Sequence, residues 1–236
     1  DVYETTKKYC GLQQSGTAPK DAASVAASVA ALYAEALMQL RPWKLWCDIS
    51  SNATGNATAS QTYDEETMEI QRVLEGALAS WPHHPGLCHF YVHLMEMSPT
   101  PEKALRPACD VLRYEWPTFG HLVHMASHID MQVGAYAAAI ESNERGVRAD
   151  LVYTELRGRE TYYLGYLVHN YHMLCWAALF EGRYQCALDA ARAIVTKTIP
   201  PAMLTTYGNF LEPYCAGKWH VWLRFGKWRE ILRERL

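Results

Sequence analysis

The sequence predicts an all-α protein built from repeated pairs of helices, and three observations carry that prediction. The string Gly-x-aromatic-x-x-Ala recurs, as "VGAYAAAIESNERGV" from Val133 and "EGRYQCALDAARAIV" from Glu181. It returns in "FGKWREIL" from Phe225, with Trp228 in the aromatic slot and Ile231 in the alanine slot. Recurrence at this scale is the signature of a repeat architecture, and another helical segment precedes each copy. The spacing of His121, His124 and His128 is the second observation, since steps of three and four put side chains on one face of a helix. Composition is the third: 50% hydrophobic residues with a formal net charge of −3 describe an ordered soluble chain.

The elements follow in order. "DVYETTKKYC" reads as the tail of a preceding helix, with residues 1–20 completing it as tail and linker. The first helix is expected over 22–41, ending at "LRPWKLW", where Pro42 stops it and two tryptophans pack under the next loop. Segment 44–62, rich in Asn, Ala, Thr and Ser, reads as an insertion loop. Helices are then expected at 63–80 and 86–97, separated by "SWPHHPG", where His83 and His84 read as turn residues. In "PTPEKALRPACDVLR" the repeat slot is marked by Ala104, with Pro99 in place of the glycine, predicting a helix over 101–114. The remaining helices are expected at 119–132, 136–149, 160–180, 184–197, 203–224 and 227–235. Turn markers at 99, 134, 182 and 226 make the later repeats longer than the earlier ones. Both ends read as cut, because "GKWREILRERL" stops inside a helix and arrays of this kind need polar caps. The natural chain is therefore expected to be longer, forming one array over 1–236 and beyond.

This Gly-x-aromatic-x-x-Ala grammar resembles the tetratricopeptide (TPR) repeat, loosely in the first third and well from about Trp81. The runs "HPGLCHFYVHLMEMSPTPEKAL", "GHLVHMASHIDMQVGAY" and "YLVHNYHMLCWAALFEGR" look like a group of His-rich TPR-domain proteins of unassigned function. The resemblance implies a right-handed α-solenoid of about five antiparallel helix pairs, with the glycine at the turn inside each pair. It implies no reaction. The chain departs from the group at Ala126 and Asp130, where a proline and an aromatic are expected.

Counting back from the four turn markers aligns the histidines. Ten residues before them lie His89, His124, His172 and Ala216; six before lie His93, His128, Trp176 and His220. Thirteen before lie Gly86, His121, His169 and Pro213. In TPR-like proteins these columns of the first helix line the concave groove. Seven histidines (His89, His93, His121, His124, His128, His169 and His172) are thus expected to converge there as metal ligands. Neutral imidazole is a common ligand for zinc, copper, iron and nickel, and three suffice for a catalytic zinc with an open position. Zinc, copper and iron are the expected ions. Glu96, three residues after His93, is a candidate ligand, orienting group or general base. Tyr171, Trp176 and His220 are expected to border the groove.

Two other readings stay open: a metal-free scaffold binding a peptide or polymer through these histidines, and a structural protein whose copies stack end to end. Other chemistries lack their motifs. There is no Gly-rich phosphate loop, no G-x-S-x-G and no H-E-x-x-H. No Lys/Arg run suggests nucleic acid, and no apolar stretch reaches the roughly 18 residues of a membrane helix. Seven cysteines form no C-x-x-C pair and mostly read as small buried hydrophobes, with one or two disulfides left open. "SNATGNATAS" holds two N-x-T acceptors, Asn52 and Asn56, which suggest glycosylation and a secreted protein. The first residues have no signal-peptide core, as expected of a mature chain or a fragment.

Overall fold

The computed structural model describes residues 20–46, 64–158 and 162–234, and among these there is no strand. Asn52, Asn56, Cys10, Cys47 and most of the expected insertion loop lie outside the described residues. No described helix is long and apolar enough to cross a membrane. The chain forms two compact units, Asp1–Leu112 and Arg113–Leu236.

In the first unit, α1 (Lys20–Gln39), α2 (Glu65–Ser80) and α3 (Pro85–Met95) pack on one another. Helix α1 buries Ala26, Ala27, Ala30, Ala31 and Ala34, a stripe at three- and four-residue spacing whose small side chains allow close approach. Asp64 caps α2 by accepting from the Glu66 N–H at 3.1 Å. Arg41 pairs with both Asp64 and Glu66. His84 caps α3, its Nδ1 accepting from the Leu87 N–H at 3.2 Å, with Pro85 in the first turn. The turn role expected of His84 is thus a helix cap. Trp46 donates its indole N–H to the Leu94 carbonyl at 2.6 Å, tying the chain after α1 to α3.

The helix expected over 101–114 is a composite: a 3₁₀ turn (Pro101–Ala104), a π turn (Leu105–Cys109), then α4 (Asp110–Glu115). Pro107 sits inside the π turn. It has no N–H for a regular helical ladder, which accounts for the local departure from α geometry.

The second unit contains α5 (Gly120–Gln132), α6 (Tyr136–Arg157), α7 (Leu164–Glu181) and α8 (Tyr184–Ala193). A π turn (Ile194–Thr198) leads into α9 (Pro201–Cys215), α10 (Gly217–Arg224) and α11 (Trp228–Arg233). Packing is sequential: α5 on α6, α6 on α7, α7 on α8, α8 on α10 and α10 on α11, with α5 also touching α7. The sequence expected α6 to end at 149, but it runs to Arg157 because Asp150 and Thr154, four apart, are buried. The helix expected over 203–224 is two, α9 and α10, and α9 itself is kinked at Tyr207 (φ −121°, ψ 26°) beside the poor helix former Gly208.

The repeat grammar has a local physical basis here. Gly134, Gly182 and Gly226 have φ of 77°, 80° and 63°, the left-handed region that side chains disfavour. Two residues on, Tyr136, Tyr184 and Trp228 each begin a helix. Tyr136 stacks on Phe180 and Tyr184 meets Phe225 edge-on, both at 5.2 Å between ring centroids. The alanines of the motif, Ala139 and Ala187, are fully buried. Ala139, Leu167, Leu174, Ala178, Ala187 and Ile194 belong to one continuous core. Each buried leucine or isoleucine there contributes about 1.5–3 kcal/mol relative to exposure.

A close backbone approach sets the start of α5 against α6. A Cβ on Gly120 would collide with the Asp150 carboxylate and the Gly146 carbonyl oxygen. A Cβ on Gly146 would lie 2.8 Å from the Gly120 carbonyl oxygen and 3.5 Å from His124 Cβ.

Candidate metal centre

Helix α5 carries His121, His124 and His128 on one face, and α7, packed beside it, carries His169. His124, His128 and His169 each offer a ring nitrogen, and these three atoms lie within 4.8 Å of one another. Among the described residues this is the group of His, Cys, Asp or Glu placed to hold a metal ion.

His124 is the fixed member. It is fully buried, and its Nδ1 lies 2.6 Å from Asn143 Oδ1 on α6. Asn143 is itself oriented, because its Nδ2 donates to the Ala139 carbonyl at 2.8 Å. Oδ1 is therefore the acceptor, and His124 Nδ1–H is the donor. This network assigns the tautomer and leaves a lone pair on His124 Nε2. Burial, then the neighbouring His128 and His169, hold the His124 pKa well below the ordinary histidine value, while the Asn143 hydrogen bond opposes them. The ring is neutral, as a metal ligand must be.

His124 Nε2 lies 3.0 Å from His128 Nε2. With His124 Nδ1–H committed to Asn143, His124 Nε2 is the acceptor of this contact and His128 Nε2–H the donor. Two nitrogens each about 2.0–2.1 Å from one ion, at angles of 90–109°, are roughly 2.9–3.4 Å apart. The pair already has that spacing. The His169 ring is 4.6 Å from His124 and 5.8 Å from His128, centroid to centroid. Closing three nitrogens onto one ion from separations of up to 4.8 Å needs shifts on the order of 1 Å. His121 stacks on His124 at 5.9 Å and lies 4.6 Å from the Tyr166 ring, at the edge of the triad.

Behind the triad lies a buried polar network. Asp150 accepts from the Tyr163 hydroxyl and from Asn170 Nδ2, both at 2.6 Å. Burial pushes its pKa up to about 6, against the lowering effect of those two hydrogen bonds. Asn170 follows His169 on α7 and Tyr163 precedes that helix, so Asp150 on α6 helps fix where His169 begins its approach. On α5, Asp130 forms a buried ion pair with Arg113 at 2.6 Å. At this position the TPR resemblance leads one to expect an aromatic; the chain has instead a carboxylate with its own cation.

The other expected site residues are elsewhere. His89, His93 and Glu96 belong to the first unit. There the His89 and His93 rings meet edge-on at 4.8 Å, and His93 Nδ1 lies 2.8 Å from Glu96 Oε1. His93 and Glu96, with Trp43 and Phe90, line a cavity of about 260 Å³ in that unit. His172 belongs to the second unit but accepts the Trp176 indole N–H on its Nε2 at 2.6 Å. It meets Tyr214 at 5.0 Å, and Trp176 meets His220 at 6.5 Å, so these residues form their own cluster. Tyr171 is buried in the core. Sequence reasoning missed Asn143, Asp150 and Asn170. An asparagine and an aspartate inside a helix are poor formers and are the available signal.

Cys175, Cys186 and Cys215 are thiols. Burial pushes the Cys175 pKa up to about 12, which removes thiolate chemistry from that position.

No family model, curated protein or solved structure matches this chain.

Proposed function

We propose that the chain is a TPR-like α-solenoid whose second unit binds a transition metal through His124, His128 and His169, a site open to catalysis at the coordination position the protein leaves free. The observation that carries this is the 3.0 Å separation of two Nε2 atoms, one held with its lone pair inward by Asn143, with His169 beside them. Structural hydrogen bonding alone does not require three imidazoles to face one another inside a helical core. The donor set suits zinc, copper or iron, and three protein ligands leave a coordination position open. A divalent ion there would act as a Lewis acid. Asn143 serves as the outer partner that orients a ligating histidine. Support for the solenoid reading comes from the three left-handed turn glycines and the two equivalent aromatic seals.

Elemental analysis of purified protein, followed by zinc titration of the chelator-treated protein, tests the reading. One ion per chain is expected for the native protein, and none for a His124→Ala, His128→Ala variant with unchanged helicity. A native chain that binds no zinc, copper or iron more tightly than the double variant would sink it.

A further inference from the structure

A cavity of about 580 Å³ reaches the triad at His169 and is also lined by His121 at the triad's edge. Its volume falls in the range, roughly 300–1,000 Å³, that holds small organic ligands. Its walls are unusual in kind. Tyr166 from α7, Tyr207, Phe210 and Tyr214 from α9, and Tyr162 before α7 supply five aromatic rings. Leu164, Met203 and Leu211 complete the apolar lining. Among the described residues no carboxylate, ammonium or guanidinium lines the cavity, and both imidazoles, His121 and His169, have their rings near that of His124.

We propose that this cavity binds a neutral planar aromatic alcohol, its rings among Tyr166, Tyr207, Phe210 and Tyr214 and its oxygen toward His169 and His121. The lack of charge on the ligand's skeleton follows from the described lining, because an ionised group among the α9 rings would be desolvated with no counter-charge beside it. Its planarity follows from the rings, which gain from offset-stacked or edge-to-face contact beyond the area they bury. Its polar end follows from where the imidazoles are, since only that side offers ring nitrogens. Exposure agrees with a ligand-facing role. Tyr207 is 53% and Phe210 60% exposed, large aromatic surfaces that the protein's own core leaves uncovered. The kink at Tyr207 turns this part of α9 locally. The inference rests on the proposed metal site only for the orientation of the oxygen.

The test uses the full chain, cobalt(II) as a spectroscopic ion, and two probes of the same skeleton: 2-naphthol and decahydro-2-naphthol, which lacks π faces. Calorimetry should give 2-naphthol binding clearly tighter than the saturated analogue. A Tyr207→Leu, Phe210→Leu variant keeps apolar volume but removes two rings. It should weaken 2-naphthol binding by roughly three- to tenfold per ring lost and leave cobalt affinity unchanged. In the cobalt-loaded protein, 2-naphthol should shift the visible d–d bands. Equal binding of the two probes, no binding of either, or an unaffected variant would overturn the proposal. Variant-sensitive 2-naphthol binding in a protein that takes up no cobalt would remove the metal reading and keep the aromatic site. Bound cobalt whose bands ignore saturating 2-naphthol would overturn the placement of the oxygen.

Discussion

At the scale of single residues, the site is organised by one tautomer. Asn143 Oδ1 has only one role once its Nδ2 is committed to the Ala139 carbonyl, so His124 must present a lone pair at Nε2. An Asn143→Ala variant should therefore weaken zinc binding by about 10- to 100-fold. It should also cost on the order of 1–3 kcal/mol in stability, since His124 Nδ1–H would be left buried without an acceptor. His172→Ala should leave zinc affinity unchanged, because its Nε2 accepts from Trp176 rather than facing the triad. Zinc titrations of the two variants check both statements, and equal losses would contradict the assigned tautomer. Asp150 makes a second prediction at this scale. Its folded pKa, about 6, lies above the ordinary aspartate value, so the folded state holds a proton more tightly than the unfolded one. The resulting stabilisation is fully present below about pH 4 and is lost as pH rises through about 6, on the order of 3 kcal/mol in all. Melting temperatures of the metal-free protein and an Asp150→Asn variant, compared at pH 4.5 and 7.5, should show the wild type losing ground at the higher pH. A gap that does not change with pH would mean that Asp150 is not the group responsible.

At the scale of elements, α5 and α6 are held at a distance that only glycine permits. Gly146→Ala would put a Cβ 2.8 Å from the Gly120 carbonyl oxygen, and backbone cannot yield as a side-chain tip can. The expected cost is about 1–3 kcal/mol, measurable by urea denaturation, together with weaker zinc binding because His124 rides on α5. An alanine variant as stable as the wild type would mean the two helices separate without penalty. This scale also divides what was legible from what was not. The i,i+4 pair His124 and His128 was readable from spacing, but its join to His169 was not, since the columns set His169 with His121. The column register expected His172 to join His124, because both lie ten residues before their turns. It is His169, one turn earlier, whose ring lies 4.6 Å from His124. Helix α7 (Leu164–Glu181) is longer than α5 (Gly120–Gln132), so counting from the C-terminal turns does not align residues that face one another. The turn glycines were legible because positive φ selects glycine locally. Asn143 and Asp150 were not, since a buried polar residue on a second helix shows its purpose only once helices are packed. The aromatic cavity was hidden for the same reason: its wall comes from α9, whose kink has no strong sequence mark.

At the scale of the molecule, the open question is how far a bound ion reaches. The repeat register alone draws seven histidines together, including His89 and His93. The triad needs only α5 and α7, with α6 holding His124 through Asn143, and all three helices belong to the second unit. An ion that binds only the folded state stabilises it by about 2.7 kcal/mol at a free concentration one hundred times Kd. That gain should appear where the ligands are. Amide hydrogen exchange of the full chain, with and without saturating zinc, should therefore slow across α5, α6 and α7, the residues that must open together to release the ion. Helices α1 and α2 should exchange at unchanged rates. In a His128→Ala variant zinc should slow nothing. Exchange across α5 and α7 that zinc leaves unchanged would overturn the three-histidine centre, because an ion held by His124, His128 and His169 must close both helices around it.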